Sequence, residues 1–376
     1  MNTPFVYGRI ADKENFTDRK EELEMLIQNF SGLVNTIIIS PRRWGKTSLV
    51  NQVVKHFETN KSIRICQVDI FNCRTEEQFY QAYAHAILKA NTSVWDDFIA
   101  SVRKYLGKLL PSVTLTDAAQ TCELTFGLNF KENVLTYDEI LELPQVICKD
   151  TGRKMVVCID EFQNIHEYDT PIAFQRKLRA HWQRHSDVCY CLYGSKRHML
   201  LDIFNNYDMP FYKFGNIMFL HKIEREEWIK FIQTRFQESG KSISPEACGT
   251  IADLMKNHPY YTQQLSQQTW LRTDYESNTD IVNLAFQDIV GQLSLLFANL
   301  IDTLTPKQIN FLMAVADGVT NFSSKEVLTK YQLGTSANIK NLKKVATEKD
   351  LIDILPGNKI ELQDPVFEYW LKHIYR

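Results

Sequence analysis

The sequence has no CxxC pair, no surplus of charge of either sign and no apolar run of membrane-spanning length. Its eight cysteines, at positions 66, 73, 122, 148, 158, 189, 191 and 248, are scattered, and Cys158, Cys189 and Cys191 lie inside apolar, strand-like runs. That spacing suits neither paired zinc ligands nor a disulfide framework, and it does suit buried reduced thiols. Lys and Arg number 43 against 45 Asp and Glu, a formal net charge of −2. No overall basic field therefore attracts nucleic acid or an anionic membrane, and such a partner would need a local patch. The opening MNTPFVYGRIADKENF lacks an apolar stretch of signal-peptide length. Nowhere do about 18 apolar residues follow one another without interruption. The expectation is a soluble, cytoplasmic protein. What is present is an ordinary globular balance, 44% hydrophobic and 23% charged over 376 residues. That length has room for two or three domains, each with its own core.

Through the first two-thirds, β-branched apolar runs alternate with longer amphipathic stretches, which predicts an α/β domain with a parallel sheet. The strands are expected at Val34–Ile39, Ile63–Phe71, Met155–Ile159, Val188–Tyr193 and Ile217–Leu220. Helical stretches such as Lys46–Glu58, Glu76–Leu109 and Ala173–Arg184 separate them. Residues Leu110–Asn129 break the rhythm with two short runs and read as a small β insertion, about 110–130. The resulting core spans 1–222. From 223 to 304 the strands stop and four helices are expected, an all-helical lid. From 305 to 376, helices at Pro306–Gly318, Ser324–Tyr331 and Ser336–Lys349 precede two short strands around Pro356-Gly357-Asn358. Three helices and a hairpin are the order of a winged helix-turn-helix.

The run Ile37-Ile38-Ile39-Ser40-Pro41-Arg42-Arg43-Trp44-Gly45-Lys46-Thr47-Ser48 puts Gly-Lys-Thr after a strand and at the head of a helix. A Walker A phosphate loop requires that context. Backbone N–H groups at the helix start, with the positive end of its dipole, favour phosphate. Lys46 would reach the β- and γ-phosphates of ATP, and the Thr47 hydroxyl would enter a Mg²⁺ shell. Gly45 leaves room for the phosphate chain. Ser40 stands where a leading glycine is usual; that glycine eases the turn, so a small residue serves.

Met155–Ile159 reads as a buried central strand ending in Asp160-Glu161, and such strands open at the ligand crevice at their C-terminal ends. Asp160 would hold Mg²⁺ through water, and Glu161 would orient the attacking water. The next strand ends in Gly194-Ser195-Lys196-Arg197. With a strand added beside the phosphate loop, Ser195 takes the place of a γ-phosphate sensor. Lys196 and Arg197 are either nearby positive charge or a solvated helix start.

These residues together resemble the prokaryotic archaeal-type ATPase family, a branch of the AAA+/STAND division of P-loop proteins, with Bacteroidetes members especially similar. The likeness spans nearly the whole chain. It rests on Phe5-Val6-Tyr7-Gly8-Arg9, Asn15-Phe16-Thr17-Asp18-Arg19, the Ser40–Leu49 loop, Ile159-Asp160-Glu161-Phe162-Gln163, Tyr193–Met199, His258-Pro259-Tyr260-Tyr261 and Asp364-Pro365-Val366-Phe367. It implies a RecA-like core with a helical lid and a winged helix. It also implies a nucleotide site that includes Phe16 and Arg19 on the adenine side, Pro41, Arg42, Arg43 and Trp44 in the loop, and His258 and Pro259 from the lid. Read as residues alone, Asp18 and Glu21 have capping-box spacing, and His258-Pro259 has the form of a helix boundary. No arginine stands at the usual lid-sensor place, where Tyr, Tyr, Thr, Gln and Gln follow Pro259. Arg179, Arg184 and Arg197 are the arginine-finger candidates.

In the last region, Ser336–Lys349 carries Lys340, Lys343, Lys344 and Lys349 against Glu348, which suits a DNA major groove. Residues 301–376 nevertheless hold ten Lys/Arg and nine Asp/Glu, so a packing or regulatory role fits equally. Two expectations follow. One is an ATPase whose nucleotide state switches its lid and winged helix, acting on a protein partner or another copy of itself. The other is a DNA-associated ATPase of regulation, mobile elements or defence.

Overall fold

The computed structural model describes residues 3–11, 15–90 and 137–376. The expected insertion at 110–130, Cys122 and the second half of the stretch Glu76–Leu109 lie outside them. The chain divides into two compact units. One consists of residues 19–42 and 46–220. The other combines 1–18, 43–45 and 221–376.

In the first unit, α1 (Lys20–Ser31), β1 (Thr36–Ile39), α2 (Lys46–Phe57), β2 (Ile63–Asp69), α3 (Glu76–Ala90), α4 (Tyr137–Thr151), β3 (Lys154–Asp160), α5 (Pro171–Trp182), β4 (Val188–Gly194), α6 (Arg197–Asn205) and β5 (Asn216–Phe219) follow one another. The strands form a five-stranded sheet in the order β2-β3-β4-β1-β5, and every pairing is parallel. β4 thus lies between β1 and β3, the added strand expected beside the phosphate loop. Met155–Ile159 and all of β4 are buried, because helices cover both faces of such a sheet. Aromatic rings fill one face: Trp182 stacks on Tyr190 at 4.2 Å, and Phe162 packs against Phe204 and Phe211.

One local expectation differs from what the backbone does, and one helix was not foreseen. Asp18 and Arg19 both have positive φ, and the cap of α1 makes no side-chain hydrogen bond. The Asp18/Glu21 capping box does not form; Arg19 instead pairs with Glu22 at 2.8 Å. Helix α4 contains Pro144 in its interior, which conceals it from a reading of periodicity.

The second unit contains α7 (Arg225–Glu238), β6 (Ser242–Ile243), α8 (Pro245–Leu254), α9 (Pro259–Arg272), β7 (Glu276–Ser277) and α10 (Thr279–Asp302). It continues with α11 (Pro306–Ala316), α12 (Lys325–Lys330), α13 (Ser336–Glu348), β8 (Ile352–Ile354), β9 (Ile360–Leu362) and α14 (Pro365–Trp370). The parallel pair β6–β7, two residues each, sits among helices where none but helices were expected. Ser244, Asn278, Thr305, Ser324 and Asp364 each cap the helix that follows them, satisfying amides with no partner inside the helix. Strands β8 and β9 pair antiparallel as the wing, and Gly357 turns between them at φ 78°. Among the described residues, α10 is long and apolar enough to cross a membrane. Its Val282, Phe286, Ile289, Phe297 and Ile301 are spent in the core of this unit.

The N-terminal segment belongs to the same unit. Phe5 is buried against Phe231 and Phe236, the Val6 amide donates to Gln263 Oε1, and Gln263 Nε2 donates to the Asn15 carbonyl.

Candidate functional site

The phosphate-loop sequence leaves β1 at Ile39 and enters α2 at Lys46. Ser40 is buried and donates its hydroxyl to the Pro41 carbonyl at 3.1 Å. Its φ is not positive, so the position where glycine is usual needs no glycine here. Lys46 is 6% exposed, and its Nζ donates to the Pro41 carbonyl at 3.1 Å. Burial lowers its ammonium to about 8, with Arg42 pushing the same way and Glu161 and Asp160 opposing. A buried cation hydrogen-bonded to a neutral carbonyl is short of negative charge. Ser48 is buried in the first turn and Arg42 is exposed.

Across β4, the end of β3 presents the acids. The Thr47 hydroxyl donates to Asp160 Oδ2 at 3.1 Å, and the Glu161 amide donates to Asp160 Oδ1 at 2.8 Å. Burial and then Glu161 raise the Asp160 carboxyl to about 6, against the pull of those hydrogen bonds and of Lys46. Glu161 adopts φ 55° and ψ 37°, left-handed backbone for a non-glycine residue, at a cost of about 1–3 kcal/mol. The turn Phe162–Glu167 over-determines it: Phe162 and Ile165 are fully buried, and the Asn164 amide closes back on the Glu161 carbonyl at 2.9 Å. Asn164 Nδ2 also donates to the carbonyls of Ile70 and Phe71. Glu161 Oε2 accepts from the Ser195 amide at 3.2 Å, the Ser195 hydroxyl at 2.9 Å and Gln163 Nε2. Ser195 therefore grips the glutamate in this state.

Within this unit the sequence-predicted residues Lys46, Thr47, Asp160, Glu161 and Ser195 come together at the C-terminal edge of the sheet. Arg19 is buried at the head of α1 in its pair with Glu22. The residues that composition and spacing did not point to are Gln163, Asn164 and Gly194. Of the arginine candidates, Arg179 donates to the carbonyls of Pro210 and Tyr212 and lies over Phe214, so it braces the turn before β5. Arg184 is exposed and bonds the carbonyl of Ala180 in its own helix. Arg197 lies 6.0 Å over Phe219.

In the other unit, Phe16 is half-buried, and the loop tip Arg43–Gly45 gathers with residues of 221–376. Arg43, at φ 65°, sets its guanidinium 4.4 Å over the Tyr260 ring. Trp44 is buried and meets His258 edge-on at 6.1 Å. Gly45 has φ 88°, and a Cβ there would meet open space. His258 is 5% exposed, and its Nδ1 has no hydrogen-bond partner. Burial, then Lys222 and Arg43, keep it neutral with a value of about 3. Pro259 is the first residue of α9, so the boundary reading of His258-Pro259 describes the backbone. Tyr261 Oη donates to Asp364 Oδ2, and Arg43 acts electrostatically on both. The Asp364-Pro365-Val366-Phe367 run is thus a helix cap tied to α9. Gln263, near the lid-sensor place, is used to bind the N-terminal segment.

On α13, Lys340 and Lys344 are exposed, and Lys343 lies 5.4 Å over Phe322. Lys344 pairs loosely with Glu348 at 3.7 Å.

A family model described as a probable winged helix domain matches residues 295–373. No curated protein matches the chain. Among solved structures, a Walker-type ATPase of Pyrococcus abyssi is similar with a TM-score of 0.70 at 16% identity, covering 98% of this chain and 99% of that one. The ORC2 protein of Aeropyrum pernix in its ADPNP-ADP complexes gives 0.57 at 15% identity, covering 99% and 96%. Its ADP form gives 0.54 at 14% identity, covering 98% and 97%. At such identities the likeness is one of fold. The chain has, over nearly its whole length, the fold of these structures: a parallel-sheet α/β core, further helices and a C-terminal winged helix.

Proposed function

We propose that this protein binds ATP with Mg²⁺ and hydrolyses it slowly, or when stimulated by a partner. The observation that carries the reading is the uncompensated charge at the sheet edge. A buried lysine lowered to about 8 and an aspartate raised to about 6 share one small region. Folding alone does not favour either ionised form there, whereas a polyphosphate would favour the first and a divalent cation the second. Thr47 Oγ1 and Asp160 Oδ2, 3.1 Å apart, are the all-oxygen donors that Mg²⁺ takes, Asp160 acting through water. Bound there, the ion would neutralise charge on the phosphate oxygens. Pro41, Arg42, Arg43, Trp44, Gly45 and Ser48 form the loop around the phosphates. On resemblance, Phe16 and Arg19 are assigned to the adenine side, and His258 and Pro259 to contacts with the nucleotide from the lid.

In this mechanism Lys46 binds the terminal phosphates, and Glu161 holds a water for in-line attack. The water oxygen bonds to the γ-phosphorus, the bond from that phosphorus to the β–γ bridging oxygen breaks, and a water proton passes to Glu161. Ser195 fixes the glutamate and, with nucleotide present, senses the γ-phosphate. The division into core 1–222, lid 223–304 and winged helix 305–376, with nucleotide state moving the latter two, is part of the proposal. So are membership of the AAA+/STAND division and a cytoplasmic setting, which the seven buried free cysteines among the described residues suit. Calorimetric titration with MgATP tests the binding: one site per chain, lost in Lys46→Ala, is expected, and no heat at millimolar ATP would overturn it. Limited proteolysis with ATP and with ADP tests the switch, since identical patterns would remove it.

The exposed Lys340 and Lys344 on α13 favour a second reading, DNA binding through the winged helix. Affinity should then fall with salt at a slope of about −0.9 per phosphate contact, and no binding at low salt would exclude it.

A further inference from the structure

Gln163 is 1% exposed, and its Oε1 is a buried polar atom with no hydrogen-bond partner. Its Nε2 donates to Glu161 Oε2 and, at 3.4 Å, to Asn164 Oδ1. Turning the amide over would set Oε1 against two acceptors, so the nitrogen belongs where it is. An orphaned buried carbonyl keeps the full cost of its lost hydration. The arrangement therefore keeps a penalty that an apolar side chain of the same length would not carry.

Gly194 explains how the amide is seated. This last residue of β4 has ordinary backbone, with no positive φ that would demand glycine. A Cβ placed on it would nonetheless stand 1.8 Å from Gln163 Oε1, 2.9 Å from its Cδ and 3.3 Å from the Glu161 Cα. The glycine is required by the space that the Gln163 amide fills. Ser195, the next residue, supplies an amide and a hydroxyl to the same carboxylate oxygen. Oε2 thus takes three donors, from two elements. Among the described residues, Oε1 takes none. The carboxylate is locked in rotation about its own axis, with one oxygen left for water.

From this geometry we infer that Gln163, seated against Gly194, is a positioning residue that orients the Glu161 carboxylate so that Oε1 faces the water of the reaction. The inference rests on the hydrolase reading above. Gln163 acts through Glu161 and makes no contact with substrate. A side chain at 194 would reach the chemistry chiefly by displacing the Gln163 amide, the atom group it would overlap most. The two positions therefore form one device, and their effects on turnover do not multiply.

The experiment is a double-mutant cycle on phosphate release, with nucleotide affinity measured in parallel. Gly194→Ala and Gln163→Ala should each lower kcat about tenfold or more, with the Kd for MgATP unchanged. The double variant should lose far less than the product of the two effects, because with the Gln163 amide gone the nearest remaining atom to the added methyl is the Glu161 Cα, at 3.3 Å. A double variant that loses the product of the two effects would overturn the proposal, as would a change in Kd with kcat intact. If Gly194→Ala does not fold, Gln163→Met, which keeps length and volume without a donor, carries the same expectation. A wild type without turnover would defeat the hydrolase reading but leave the clamp testable. The Gln163 side-chain amide protons, assigned by nuclear magnetic resonance, should resist solvent exchange in the wild type and lose that protection in Glu161→Ala. Unprotected amide protons in the wild type would refute the clamp itself.

Discussion

At the C-terminal edge of the sheet Lys46 is 6% exposed, bonded to a carbonyl and lowered to about 8. On α13 Lys344 is 70% exposed and faces Glu348 at 3.7 Å. The residue types are the same, and the energetics are opposite. At the sheet edge the groups were removed from water at a cost that a ligand would offset, and a strained backbone holds Glu161 among them. On α13 the cations stay hydrated, and their ion pairing is worth about 0–1 kcal/mol. Burying unlike charges without completing their partners marks a place built for something that arrives. Exposed lysines carry no such mark, and so the nucleotide reading stands on structure while the DNA reading stands on pattern.

The comparison can be broken at several strengths. The largest effect should come from Lys46→Ala, which removes the buried cation: ATP turnover should fall by about a hundredfold or more while the melting temperature holds or rises. Turnover near wild type would show the buried charge to be idle. Next is Asp364→Ala in the other unit. Asp364 caps α14 through the amides of Val366 and Phe367 and accepts from Tyr261. Its loss should destabilise that unit by about 2–3 kcal/mol in denaturant titration, and Asp364→Asn, which still caps, by less.

A smaller effect is expected from His258, and its sign is set by the neutral ring. Its folded value of about 3 lies below the ordinary 6.5, so between these the unfolded chain binds the extra proton. Stability should be flat above pH 6.5 and fall as pH drops below it, by up to about 1.4 kcal/mol per pH unit. Subtracting the profile of His258→Gln should isolate that slope, and superimposable profiles would mean that His258 is solvated. The smallest effects belong to Lys340→Ala and Lys344→Ala, each within about 0.5 kcal/mol of wild-type stability. If DNA does bind, each should reduce the salt slope by about one.

Much of this was visible in the residues. The central strands are runs such as Val156-Val157-Cys158-Ile159, buried on both faces, and a doubly covered strand shows itself as unbroken apolar sequence. Gly45-Lys46-Thr47 and Asp160-Glu161 were visible because each needs a fixed place relative to a strand end. The capping box at Asp18 was legible and false, since positive φ at Asp18 and Arg19 takes the chain into α1 by another route. Gln163 and Gly194 both lie in the runs that carry the resemblance, but nothing in the sequence pairs them as a clamp. The clamp depends on β4 lying beside β3 in one register, with Cys191 opposite Cys158, a tertiary fact that no local pattern carries. The same holds for Gln263, whose role at the N-terminal segment joins positions far apart in the chain.

On the proposed mechanism the sheet edge binds ATP and Glu161 acts in its hydrolysis. The most direct test is single-turnover hydrolysis of MgATP by wild type and Glu161→Gln, with nucleotide binding measured on the same samples. The expected result is unchanged binding and a hydrolysis rate lower by about 10²–10⁴-fold in the variant. Equal rates in the two proteins would contradict the role assigned to Glu161 and, with it, the mechanism built on this site.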